Sequence, residues 1–496
     1  MKNLAENHPS WYIPQRQSPA AIFIMLMKTA LTLLKATWPL LIITIINRKN
    51  DKILSTILFI LVGFAIISLL LTFIRYLFFR FYVEDENFII KTGWLQKKTL
   101  SVPMQNIHAV NLEQSVWQQL FNVTTITLDS SGSEKTEVKI DALQLDKAEL
   151  LKQLLLSRSE INNDEKINTL TADKIPQKLS GRDLLKLSLT ANHIKAFFIL
   201  LGLSLNVLDD IKKLFNFDEA ALIKTYSGTI INQSFFVAGI IFILITIASI
   251  ITSIIRTIVK YYNFTIEDAG INWKIAFGLF TLQQKIIPFK KIQILSWKAN
   301  WLRRKLDFWI LHVQTIGHDE TKGNQQIQIP VTTFKAVLGL VPAYQHSTVI
   351  KESDGLQIEP DYWKRKLLMI GVPLTVILFI VLYFWIGLSA LLIIFLFVYA
   401  GWHYRSWYKN FRWLANEEGL QLYSGVWGRK FTLLTWKKVQ QIQINQNLYQ
   451  RAHNLATLHF ITAGGNVELP YIKYATAKQL TDYALYEIES KYEEWM

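Results

Sequence analysis

Pairs of cations that return at fixed distances from a glycine are the residues with the most chemical reach. Lys290 and Lys291 stand 12 and 13 residues past Gly278, and Lys437 and Lys438 stand at the same distances past Gly425. Gly93 heads a further copy of the pattern, with Gln105 and Asn106 at those places. A second basic pair, Lys97 with Lys98 and Arg429 with Lys430, lies four and five residues past the first and last glycines. The middle copy has Leu282 and Gln283 there and adds Arg303, Arg304 and Lys305 farther on, on an expected short helical turn. Clustered ammonium and guanidinium groups neutralise phosphate, and beside a bilayer each contributes about 1 kcal/mol toward anionic headgroups. Solvated turns and guarded sheet edges carry the same residues. The pattern shifts between copies, so it fixes no single pocket.

Other chemistries are poorly served. The chain has no cysteine, which excludes disulfides, thiolate catalysis and thiolate metal sites. His312 and His318 are six apart, with Asp319 and Glu320 following, whereas helical metal ligands come four apart. They read as loop histidines. Asp85 with Glu86, Glu267 with Asp268, and Glu417 with Glu418 read as hairpin-tip acids. No glycine-rich phosphate loop, nucleophile elbow or metal-binding H-E-x-x-H is present. No catalytic residue, metal or cofactor is expected. Trp94, Trp117, Trp273, Trp297, Trp301, Trp309, Trp427 and Trp436 could stack on bases, but packing in a core or at a membrane interface is the favoured reading. Nucleic acid is not an expected partner.

The elements that position the cations form a repeat. GWLQKKTLSVPMQNIHAV (93–110), GLFTLQQKIIPFKKIQIL (278–295) and GVWGRKFTLLTWKKVQQI (425–442) align without a gap. Pro103, Pro288 or Thr435 stands ten residues past the glycine, and Ile107, Ile292 or Val439 fourteen. Strand-like segments surround the first copy at 81–83, 88–92, 99–102, 123–128 and 138–140. A helix follows, with Asp146 and Glu149 as its capping box, and Thr476 with Gln479 marks the same end of the third copy. Gly339 and Pro342 weaken the matching helix of the second.

Apolar runs at 21–46, 53–79, 191–208, 235–259 and 367–399 alternate with these blocks. Crossing a bilayer takes about 20 apolar residues. Gly387 and Ser389 divide the last run, so six spans in three hairpins are expected. Lys28 and Lys35, in the first run, read as snorkelling or helix-contact residues, since neither expected span of that hairpin holds an acid. The expected divisions are 1–80 (tail and first hairpin), 81–156 (first block), 157–260 (linker and second hairpin), 261–345 (second block), 346–409 (linker and third hairpin) and 410–496 (third block). No removable signal peptide is expected. Of 496 residues, 51% are apolar and 18% charged, with a net charge of +15, which suits a membrane protein with an anionic partner. Basic residues at span ends, among them Arg75, Arg80, Arg256, Lys260, Lys364, Arg365 and Lys366, favour the side that carries the blocks. That side is read as cytoplasmic and the membrane as the plasma membrane.

The order of glycine, proline, basic residue, isoleucine and glutamine, as in IPFKKIQ, resembles the bacterial pleckstrin-homology (PH) domain family. A membrane hairpin before each of three such domains resembles its YdbT-like members. The resemblance implies an α+β membrane protein whose blocks are bent antiparallel sheets, each closed by a C-terminal helix. It brings no catalytic residues. Lys97, Lys98, Lys290, Lys291, Arg303, Arg304, Lys305, Arg429, Lys430, Lys437 and Lys438 are the candidate surface for anionic lipid or a protein partner. The expected function is a non-enzymatic scaffold at the inner leaflet, associating with itself or with other membrane proteins, in envelope stress defence. The rival is a transporter or export component, which would need Lys28 and Lys35 in its path.

Overall fold

The computed structural model describes residues 11–32, 51–104, 107–130, 138–160, 177–202, 230–270, 272–315, 327–331, 333–341, 344 and 354–490. Helices α1 (Ala20–Thr32) and α2 (Asp51–Phe78) lead into the first block. There β1 (Arg80–Glu84), β2 (Asn87–Thr92) and β3 (Lys98–Pro103) form an antiparallel sheet in that order. Asp85 and Glu86 turn β1 into β2 with φ of 44° and 62°, the left-handed geometry that a tight hairpin requires. The repeated glycine makes the next turn. Gly93, Gly278 and Gly425 have φ of 94°, 117° and 128°, and a Cβ on them would lie 1.9, 1.9 and 2.2 Å from the carbonyl oxygen three residues on. The turn therefore admits no side chain in any copy.

The block continues with β4 (Ile107–Gln114), the short α3 (Val116–Leu120), β5 (Val123–Ser130), β6 (Val138–Gln144) and α4 (Leu145–Glu160). β4 is a strand that its mixed polar sequence did not announce. Phe81, Phe88, Val102, Ile107, Ile126 and Leu128 share one buried core with Ala148, Leu151 and Leu155 of α4. Burying each large side chain contributes about 1.5–3 kcal/mol. Strand β6 runs straight into α4, so Asp146 lies inside the first turn and not at the expected cap. Thr476 is likewise inside its helix.

The second block holds β7 (Thr265–Asp268), β8 (Asn272–Phe277), β9 (Leu282–Pro288), β10 (Ile292–Asn300), α8 (Trp301–Lys305), β11 (Trp309–Thr315), β12 (Ile327–Val331) and α9 (Phe334–Leu340). It follows α5 (Gly181–Leu189), α6 (Ile194–Gly202) and α7 (Ile230–Tyr261). Glu267 and Asp268 lie in β7 rather than at a hairpin tip. After α10 (Asp361–Lys366), α11 (Val372–Ile386) and α12 (Ile393–Asn410) come β13 (Arg412–Ala415), β14 (Gly419–Ser424), β15 (Gly428–Thr435) and β16 (Val439–Asn445). Then follow α13 (Leu448–Ala452), β17 (Leu455–Thr462), β18 (Gly465–Lys473) and α14 (Tyr474–Ser490). The third core joins Trp413, Leu420 and Leu434 to Leu458, Phe460 and Leu469, with Ala477, Leu480 and Ala484 of α14.

The blocks are not closed sheets. The chain forms two compact units, Met1–Gln177 with Asn263–Pro288, and Lys178–Tyr262 with Phe289–Met496. In the first, one sheet runs β6-β5-β4-β9-β8-β7. In the second, one sheet runs β12-β11-β10-β15-β14-β13, and β16-β17-β18 form another. The block expected at 261–345 thus gives its first three strands to one unit and its last three to the other. In each joint, the last half of one block pairs antiparallel with the first half of the next. Leu282, four past its glycine, faces Gln114, 21 past Gly93. Leu434, nine past its glycine, faces Ile294, 16 past Gly278. The offsets total 25 in both, so the two joints share one register.

Phe242–Tyr261, Asp361–Trp385 and Gly387–Asn410 are long and apolar enough to cross a membrane. Gly387, at φ 59°, breaks the last run into two helices. Helices α5 and α6 form a pair bent by 60°, which would make a fourth span if counted as one. Among the described residues there are thus three or four spans where six were expected. Residues 33–46 and 203–208 of the expected spans, Lys35 among them, lie outside the described residues. Lys28 has an acidic partner after all: its Nζ lies 3.0 Å from Asp141 Oδ1 on β6. Searching the spans alone could not reveal an acid supplied by the block.

Candidate functional site

The expected cations fall in both compact units, and within the second they occupy separate places. Lys97 and Lys98 are exposed in the first unit, at the start of β3. In the second unit, the turns after β9 and β15 come together, and Lys438 Nζ donates to the carbonyl of Lys290. Burial lowers the pKa of Lys438, helped by the charges of Lys290 and Lys437. Burial brings Lys291 down to about 7. Lys430 faces Lys298 directly across the β10–β15 joint, and burial lowers both. Arg429 lies on the same strand, beside Ala299. Arg304 and Lys305 are exposed on α8, Lys305 over the Trp301 ring at 5.6 Å.

Arg303 goes elsewhere. Asn300 caps α8 by accepting from the Arg303 backbone N–H at 2.8 Å. Its own side-chain amide donates to the Thr190 carbonyl at 3.2 Å. Arg303 Nε donates to Thr190 Oγ1 at 2.9 Å, at the end of α5. Thr190 is itself buried, held through its hydroxyl to the carbonyl of Lys186 at 2.8 Å. Burial pulls the Arg303 pKa down, yet a guanidinium keeps its charge inside proteins.

These contacts form one wall of a pocket of about 430 Å³. That volume falls within the range of small-ligand sites. Its second wall is the last three turns of the span ending at Tyr261. Thr252, Arg256 and Lys260 form one row at four-residue spacing, and Ser253, Thr257 and Tyr261 form the next. Asn192 and Lys195 enter from the bend between α5 and α6, where Asn192 Oδ1 accepts from the Ile194 N–H at 3.0 Å. Ile310, His312 and Gln328 close the side formed by β11 and β12, and the Tyr261 hydroxyl donates to Gln328 Oε1 at 3.4 Å. Leu187, Ala196, Ile199 and Leu200 supply an apolar margin. Four cations line the pocket, and none of the described lining residues is acidic. Cations beside an apolar margin have the chemistry that complements a phosphate-sized anion carrying an apolar tail.

The repeat explains why the pocket opens here. Ser115, Asn300 and Asn447 each stand 22 residues past their glycine and cap the short helix. Three residues on come Gln118, Arg303 and Gln450. In the outer copies the glutamine is buried, and its Nε2 donates to Thr125 Oγ1 at 2.7 Å or Thr457 Oγ1 at 2.8 Å. The second copy has Ile310 in the threonine's place. A closed polar pair is replaced by a cation turned toward the membrane helices. Of the pocket's cations, only Arg303 was singled out from sequence as a ligand residue. Arg256 and Lys260 entered only as markers of side, and Lys195 was missed. The two polar rows along an otherwise apolar helix were the signal available. His312 lines the pocket, while His318 lies outside the described residues. Among the described residues no cluster of histidine, aspartate or glutamate could hold a metal ion.

Residues 25–159, 218–340 and 371–488 match the bacterial PH domain family. The chain belongs to that family, as a membrane protein with three copies of the domain. It is 23% identical over 483 residues to the UPF0699 transmembrane protein YdbT of Bacillus subtilis (strain 168), covering 90% of this chain and 92% of that one. It is thus a YdbT-like transmembrane protein.

Proposed function

We propose that the protein is a non-catalytic, multi-pass scaffold of the plasma membrane. In this reading its PH-like domains face the cytoplasm, and an anionic phospholipid headgroup sits in the Arg303 pocket. The domains then offer docking surfaces to protein partners, and envelope stress defence is the physiological setting. The observation that carries the lipid reading is the replacement of a buried glutamine–threonine pair by Arg303 and Ile310, which turns a cation toward Thr190 and the pocket beside the span ending at Tyr261. Cations at span ends support the cytoplasmic placement.

The test uses the full chain in bilayers of mixed phosphatidylcholine and phosphatidylglycerol, followed by native mass spectrometry of retained lipid. The unsubstituted protein is expected to keep phosphatidylglycerol preferentially. Arg303→Gln should cut that preference about tenfold, which corresponds to about 1.4 kcal/mol. Arg304→Gln, on the exposed side of the same turn, should leave it intact. Equal retention of the two lipids by the unsubstituted chain, or equal loss in both variants, would overturn the lipid reading.

A further inference from the structure

Among the described residues, two strands lack the partner that their counterparts have. Strand β4 pairs with β9, and β10 pairs with β15, each joining the end of one block to the start of the next. The remaining members of those two sets are β3, at the start of the first block, and β16, at the end of the third. Among the described residues β3 pairs only with β2, and β16 pairs only with β17. Burial follows this difference. Ile294 to Trp297 of β10 are all buried, whereas Gln441 of β16 is exposed and Ile442 to Ile444 are partly so. At the matching place in the first half-blocks, Ile286 and Leu433 are buried, and Ser101 is exposed.

We infer that β16 of one copy pairs antiparallel with β3 of a second copy, repeating the internal joint between molecules. It stands apart from the lipid pocket and needs no ligand. The common register fixes the pairs: Lys98 with Asn445, Thr99 with Ile444, Leu100 with Gln443, Ser101 with Ile442 and Val102 with Gln441. No pair sets like charges against each other, unlike Lys298 and Lys430 in the internal joint. Strand β16 has neither charge nor proline, the usual guards of an edge. Strand β3 ends on Pro103, but β9 ends on Pro288 and still forms its joint. Edge pairing of this kind gains its strength from main-chain hydrogen bonds. Confinement to one membrane raises the effective concentration of the two edges. The contact is head-to-tail, so it builds rings or rows rather than two-fold dimers.

The chain's lack of cysteine makes the register testable in membranes. Two differently tagged full-length copies are co-expressed, one carrying Ser101→Cys and the other Ile442→Cys, and then oxidised. Leu100→Cys with Gln443→Cys is the neighbouring pair. Opposite residues in an antiparallel ladder alternate between Cα separations of about 5.5 and 4.5 Å, so at least one pair suits a disulfide. Disulfide-linked heterodimers are expected from these pairs, at least tenfold above Ser101→Cys with Gln440→Cys. A chain carrying both Ser101→Cys and Ile442→Cys should give a ladder of multimers. Equal yield off register, or links only between identical variants, would overturn the proposal. So would trapping of a different protein at Ile442→Cys. Should the variants fail to insert, the unsubstituted protein is weighed in native membrane discs, and monomers alone would overturn it.

Discussion

In the first and third blocks, Gln118 and Gln450 fold back on their own helical turns and reach Thr125 and Thr457. In the second block Arg303 and Ile310 hold those positions, and the arginine reaches Thr190 of the preceding helix. The backbone device is the same in all three: a polar cap 22 residues past the glycine opens a five-residue helix. At the third residue of that helix and at one facing position on the next strand, the outer copies agree with each other and the second copy departs. The polar pair that closes the outer turns is thus absent from the second, whose arginine joins Lys195, Arg256 and Lys260 in lining the pocket. A repeat can keep its backbone device in every copy and still vary the side chains that the device presents.

The largest effect should come from breaking a closed turn. Gln450→Ala removes the acceptor of the Asn447 backbone N–H, at 3.0 Å, and the donor to Thr457, leaving the buried Thr457 hydroxyl without that bond and a cavity where the glutamine lay. The expected cost is about 2–3 kcal/mol, read as earlier proteolysis of the third block in denaturant. Arg303→Ala at the open turn should cost less than about 1 kcal/mol by the same measure, because water can enter the pocket. Equal losses would erase the distinction between closed and open turns.

A smaller effect sharpens the role of Thr190. Thr190→Val leaves every cation of the pocket in place but removes the acceptor that aims Arg303. Retention of phosphatidylglycerol should fall about threefold, on the order of 0.7 kcal/mol and less than for Arg303→Gln. A change as large as that of Arg303→Gln would mean that the threonine supports the helix end itself rather than the guanidinium.

The legible part of this molecule was whatever the backbone imposes on every copy. Gly93, Gly278 and Gly425 recur because a Cβ would strike a carbonyl, so the repeat could be counted from sequence. The break at Gly387 was legible for a related reason, since its φ of 59° ends one helix before the next begins. The caps at Ser115, Asn300 and Asn447 sat in plain view at constant spacing, but differing residue types hid them. The joints were not legible. Nothing in the alternation of β4 or β10 tells whether the neighbour on the far edge belongs to the same block or the next. The pocket was legible only in pieces, because Arg303 and Thr190 meet across 113 residues of chain.

The last effect, which pH should tune, tests the basic turns that first drew notice. The first block has Asn106 where the others have Lys291 and Lys438. Burial holds Lys291 at about 7, far below its usual 10.5. Between those values the unfolded chain binds more protons at this site than the folded one, so stability rises with pH from about 7 to about 10.5. Below about pH 7 the lysine is charged in both states, and its full desolvation penalty is felt. Lys291→Asn, which copies the first block, should therefore stabilise the protein at pH 6 by on the order of 1 kcal/mol, after discounting for a partly exposed side chain. The gain should shrink steadily toward pH 10. Thermal unfolding of the full chain in lipid discs at pH 6, 8 and 10 reads it directly. A gain that does not change with pH would mean that the substitution acts through packing, and that the turns of the second and third blocks differ from the first in shape rather than in buried charge.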